Sequence, residues 1–123
     1  MDQRVCLDTD VIIDILNNQE RAQRLINKIE NYDIFITSIN LFELLQREIN
    51  LDKIELFRKK VDMLTFDELS SRKASLIFKE LKKTGKLIDF RDLFIAAICI
   101  ANNCELATFN KKHFENVKSL RIV

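Results

Sequence analysis

Three carboxylates set in apolar surroundings are the side chains of this chain best placed to do chemistry. Asp8 directly follows the run RVCL, and Glu43 stands among Leu41, Phe42, Leu44 and Leu45. Asp92 opens DLFIAAICIA, a segment apolar all round. Acids in such settings need partners, because a buried carboxylate left unpaired is costly. Glu43 has Arg47 at i+4, whereas no Lys or Arg stands at i±4 from Asp92. If the three converge within about 5 Å, each pair repels by roughly 3 kcal/mol at an effective dielectric of about 20, or about 10 kcal/mol in all. That is comparable to the whole stability of a small domain. Such a cluster either takes up protons or holds a divalent cation, and an all-oxygen donor set suits Mg²⁺ or Mn²⁺.

Bringing these acids together requires a particular scaffold. The chain has 123 residues, 47% hydrophobic and 32% charged, which predicts one globular domain over residues 1–123. RVCL reads as a first strand, followed by helices over 10–16 and 20–30. DIFIT is a second strand, followed by a helix over 39–49 with Ser38 as its cap and another over 52–62. MLTF is a third strand, and a long helix over 67–84 closes at Gly85. A nearly all-apolar helix over 89–102, a fourth strand ELATF and a short fifth, LRIV, complete the chain. Strands apolar throughout and separated by helices indicate an α/β/α sandwich with a central parallel sheet of four to five strands.

In such a sheet ligands bind beyond the carboxyl ends of the strands, where strand order reverses. Asp8, Glu43 and Asp92, with Thr108 and Asn110 together, map to that edge from four separate segments. Other chemistries are excluded by composition. One Gly and no Pro leave no way to build a phosphate-cradling P-loop or a dinucleotide fingerprint. Twenty basic against 19 acidic residues give a net charge of +1, so nucleic-acid binding must rest on local patches. Three cysteines, two of them inside apolar runs, fit a reduced cytoplasmic protein. A Cys₃His zinc site with His113 is possible arithmetically but lacks a C-x-x-C knuckle. The sequence shows neither a signal peptide nor a membrane span, so no membrane partner is expected.

LDTDVIID, TSINLFELLQRE and KTGKLIDFRDLFIAAICIANNCELATFNKKHFENV, in that order and spacing, resemble the PIN domain, specifically the small VapC-type toxin ribonucleases. The resemblance spans essentially the whole chain. It implies a homodimer, a cognate antitoxin whose helix fills a groove near the active site, and Mg²⁺- or Mn²⁺-dependent endonucleolytic cleavage of RNA. Asp8, Glu43 and Asp92 match the family's first three acids and carry its catalytic and metal-binding roles. Asn110 stands where the fourth acid is often Asp; it keeps an oxygen but drops a charge, which weakens a second metal site. Asp10 replaces the usual Asn or Ser and is a possible further outer ligand. Thr9 and Thr108 match hydroxyl positions bordering the site. Arg91, Lys111, Lys112 and Lys86 are candidates for tracking the RNA backbone.

Each of these residues also has a plainer reading. Asp89 and Asp92 have the spacing of a capping box, Asp8 that of a strand-to-helix turn, and Glu43 that of an i+4 pair with Arg47. Asp14 reads as a solvated helix position, His113 as a structural or surface residue rather than an aid to RNA binding, and Phe109 and Phe114 as packing rather than base-stacking residues. A phosphoacceptor receiver domain, with Asp67 as acceptor and Thr108 as switch hydroxyl, is a rival of similar length. It lacks a lysine after the fifth strand. A PIN module that processes RNA, or binds it without cutting, is the other alternative.

Overall fold

In the computed structural model, which describes residues 3–123, strands and helices alternate along the chain. They are β1 (Arg4–Leu7), α1 (Thr9–Leu16), α2 (Glu20–Lys28), β2 (Asp33–Thr37), α3 (Ser38–Leu45) and α4 (Leu51–Lys60). Then come β3 (Asp62–Leu64), α5 (Glu68–Lys83), α6 (Phe90–Ala101), β4 (Glu105–Ala107) and α7 (Lys111–Phe114). The four strands pair in parallel in the order β3-β2-β1-β4. Chain order therefore reverses between β1 and β4, which makes that boundary the switch point of the sheet.

The two-residue period of a strand explains why these segments are apolar throughout. Cys6 and Leu106 point into a core shared with α5 and α6, through Ala74, Ile77, Leu93 and Ala97. Val5, Leu7 and Ala107 point into a second core, with Val11, Ile12, Leu25, Leu44 and Ile54. Both faces of the sheet are thus buried, as an α/β/α sandwich demands. No helix of the described residues is long and apolar enough to cross a membrane.

Local chemistry sets the boundaries, and several differ from expectation. The helix after β2 stops at Leu45 rather than at 49, because Glu48 (φ 58°) and Asn50 (φ 54°) take left-handed backbone. Its cap is Thr37, not Ser38. The Thr37 hydroxyl accepts from the Asn40 N–H at 3.1 Å, and the Asn40 side chain accepts from the Thr37 N–H at 2.9 Å. This is a reciprocal capping box with Asn in the third position. Gly85 (φ 67°) ends α5 with Lys86 N–H donating to the Leu81 carbonyl at 2.9 Å and Gly85 N–H to Lys82 at 3.2 Å, a Schellman closure. Of the fifth strand only a bridge forms: Ile122 pairs with Leu106 alone.

Candidate active site

Asp8 follows β1 at the switch point and caps α1, accepting from the Thr9 N–H at 2.9 Å through Oδ1. Its backbone N–H donates to Ala107, the last residue of β4, and its Oδ2 accepts from the Thr108 hydroxyl at 2.7 Å. The turn reading and the site reading of Asp8 thus coincide. Only 6% of Asp8 is exposed. Burial pushes its carboxyl above the ordinary Asp value, and the charge of Asp10 adds to this against the two hydrogen bonds.

Glu43 lies in the second turn of α3, and its side chain is mostly buried. Its Oε1 accepts from the Thr9 hydroxyl at 2.6 Å, and that hydroxyl accepts in turn from Asn40 Nδ2 at 2.9 Å. Asn40 is fully buried, with Oδ1 held by the Thr37 N–H and hydroxyl. The capping box that starts α3 therefore also fixes Thr9, and Thr9 fixes Glu43. The charged partner of Glu43 is Arg91, 3.7 Å from its Oε2, rather than Arg47, which lies past the end of α3. Desolvation nonetheless raises the carboxyl of Glu43, with repulsion from Asp8.

Asp92 occupies the first turn of α6, yet the carboxylate that caps this helix is Asp89, which accepts from the Arg91 N–H at 2.8 Å. Asp92 instead faces the cleft, with His113 Nδ1 3.5 Å from its Oδ2. Desolvation first, and then the charge of Asp8, push its carboxyl up to about 6. All three acids line one polar cleft of about 270 Å³, together with Thr9, Asp10, Asp89, Arg91, Asn110 and His113. A larger recess of about 330 Å³, between α5 and α6, is walled by Phe66, Phe78, Phe90 and Phe94 and carries little polar chemistry.

The remaining predicted residues have definite places. Asp10 and Asn110 pair with each other across the cleft, the Asn110 amide donating to Asp10 Oδ2. The Asn110 N–H also donates to the Thr108 hydroxyl at 3.0 Å, so Thr108 is held between Asp8 and Asn110. Lys111 and Lys112 are exposed on α7, and Lys86 is exposed after α5; none of the three lines the cleft. Asp14 is not a solvated position: it is largely covered and ion-paired to Arg21, whose guanidinium sits 4.1 Å over the Phe109 ring. Phe114 is core. Cys6, Cys99 and Cys104 are all buried in the α5–α6 core, so a Cys₃His site with His113 does not form. Asp67 caps α5 and accepts from the Ser70 N–H, away from Thr108, which leaves the receiver arrangement without its acceptor site.

Sequence reasoning passed over Asn40, which is buried behind Thr9, and did not place His113 in the cleft. Asn40 is legible only as the third position of a capping box after Thr37. His113 is delivered by α7, four residues long and too short for any periodic signal. Among the described residues no three His, Cys, Asp or Glu side chains already stand in a metal-ligand arrangement, since Glu43 is turned to Thr9 and Arg91 and Asp92 to His113. The donor chemistry fits a hard divalent cation all the same. Three oxygen-bearing carboxylates, each destabilised as an anion, share one polar cleft.

Known proteins carry the same frame. Ribonuclease VapC1 of Methanocaldococcus jannaschii is 31% identical over 117 residues, covering 95% of this chain and 83% of that protein. The tRNA(fMet)-specific endonuclease VapC of Shigella flexneri is 28% identical over 122 residues, covering 94% and 92%. A chain of VapBC2 from Rickettsia felis, solved bound to a DNA fragment from the promoter, superposes with a TM-score of 0.88 at 25% identity over 98% of both chains. The PIN domain family model matches residues 5–120, which takes in every acid of the cleft. By that match this chain belongs to the PIN domain family.

Proposed function

We propose that this chain is a divalent-metal-dependent endoribonuclease, the toxin of a VapBC-type toxin–antitoxin pair. The observation that carries the reading is the meeting of Asp8, Glu43 and Asp92 in one polar cleft at the switch point of the sheet. Relatives named as VapC ribonucleases, and likeness over nearly the full chain to a VapBC structure, support the RNA substrate and the antitoxin partner.

Asp8 and Asp92 would hold Mg²⁺ or Mn²⁺, with Asp10 and Asn110 at the outer edge of the site. When bound, the ion neutralises phosphate charge and lowers the pKa of a water molecule. Glu43, fixed by Thr9, would orient the attacking water and take its proton. The water oxygen would attack phosphorus as the bond to the 3′ oxygen breaks, and that oxygen would take a proton from solvent, leaving 5′-phosphate and 3′-hydroxyl ends. Lys86, Lys111 and Lys112 supply positive charge for the flanking backbone. A homodimer and an antitoxin helix belong to the same proposal, supported by exposed Phe42, Leu76, Leu87 and Phe90.

The test incubates purified protein with RNA in Mg²⁺, Mn²⁺ or EDTA, beside Asp8→Asn and Asp92→Asn. Cleavage that needs metal and both acids, with 5′-phosphate products, is the expected result. Cutting that persists in EDTA, or in both variants, removes the proposed mechanism. RNA bound without Mg²⁺ uptake points instead to a module that binds and does not cut.

A further inference from the structure

Resting on the nuclease reading, we propose that Arg91 is a two-position latch, clamped on Glu43 in the free protein and transferred to an RNA phosphate when substrate enters. Arg91 is the one Lys or Arg lining the acidic cleft among the described residues. Its Nη1 lies 3.7 Å from Glu43 Oε2 and its Nε 3.4 Å from Asp89 Oδ1. Asp89 is thus both the cap of α6 and the anchor of the guanidinium.

The two ends of the pair differ in exposure. The Arg91 side chain is 48% exposed and that of Glu43 only 18%, so the cation stands at the mouth of the cleft and the acid inside it. A guanidinium fork matches carboxylate and phosphate equally well, so one partner can be exchanged for the other without rebuilding the site. In the resting arrangement Arg91 partly neutralises the acids and occupies Glu43, and its charge competes with that of a divalent cation at Asp8 and Asp92. Leaving Glu43 relieves that competition as the guanidinium gains a phosphate. Metal uptake and RNA binding are thereby coupled through one side chain.

Calorimetry with Mn²⁺ on wild type, Arg91→Gln and Arg91→Lys tests the first half. Anisotropy with a single-stranded RNA oligonucleotide in an Asp8→Asn background, with and without Arg91→Gln, tests the second. Removing the charge should tighten Mn²⁺ binding about three- to tenfold and weaken RNA binding about five- to tenfold. Arg91→Lys should return Mn²⁺ affinity towards wild type. Structural damage would weaken both, so the opposite signs are diagnostic. Unchanged or weaker Mn²⁺ binding in Arg91→Gln, or unchanged RNA affinity, overturns the latch. Wild type that takes up no Mn²⁺ overturns the nuclease reading and the latch together, whereas wild type that binds and cleaves beside an indistinguishable Arg91→Gln overturns the latch alone.

Discussion

Asp92 is the residue whose environment is most at odds with its charge. Its carboxyl titrates near 6 in the folded chain, against roughly 4 for an unfolded Asp. An acid raised on folding contributes stability that is complete below the unfolded value and is lost as pH climbs through the folded one. The metal-free protein should therefore lose about 2–3 kcal/mol between pH 4 and 7 from this group. Asp92→Asn removes the loss, so in EDTA at pH 7.5 the variant should melt above wild type by roughly 5 °C or more. The gap should close near pH 4. A variant less stable than wild type at pH 7.5 would show that Asp92 is satisfied by His113 and not strained. Protons and metal compete for the same oxygens, so Mn²⁺ affinity should rise steeply from pH 5 to 7 in calorimetric titrations. The sequence marked this acid by its apolar neighbours and its missing i±4 cation. It did not mark His113 as its partner, because that contact crosses from α6 to α7 and depends on the fold.

At the scale of elements, the chain solves a problem that its composition poses. With one Gly and no Pro, helix ends needing left-handed backbone must find another residue. Asn does this at two helix C-termini. Asn18 (φ 55°) and Asn103 (φ 53°) close α1 and α6 by the same Schellman pattern that Gly85 gives α5. Gln19 N–H donates to Asp14 at 2.9 Å in the first case, and Cys104 N–H to Cys99 at 2.9 Å in the second. Asn at such a position tolerates αL through its short polar side chain. The Gly85 stop was legible in the sequence for this reason, while the end of α3 was not: Glu48 carries no signal for positive φ. At exposed Asn18, Gly should be at least as stable as Asn, and Ala about 1 kcal/mol below Gly. Urea denaturation of the three proteins measures the series. A flat result would mean that α1 ends without left-handed closure. The same scale governs Glu43, since Asn40 serves both the α3 cap and Thr9. Asn40→Ala should cost about 2–4 kcal/mol, because it strands buried donors and acceptors on both neighbours. Chemical denaturation checks this directly, and a loss under 1 kcal/mol would mean that water replaces the amide.

For the molecule as a whole, parallel pairing and two covered faces followed from strands without a polar side, but strand order did not. Nothing in RVCL or ELATF specifies that β4 returns beside β1, and that return is what sets Thr108 against Asp8 and creates the switch point. Fold and site are therefore coupled: the acids gather only in the finished sheet, so a ligand that needs all of them binds the native chain and not the unfolded one. Such a ligand stabilises by mass action, by about 2.7 kcal/mol when free metal is a hundred times its dissociation constant. For a domain of this size that corresponds to a rise in melting temperature on the order of 10 °C. Asp8→Asn is the informative control. Asn caps helices as well as Asp does, so α1 should keep its start while the cleft loses a charged ligand. Mn²⁺ should thus raise the melting temperature of wild type strongly and that of Asp8→Asn little. Equal shifts in both would locate the metal on surface acids, because the net charge of +1 provides no general attraction that the variant would retain.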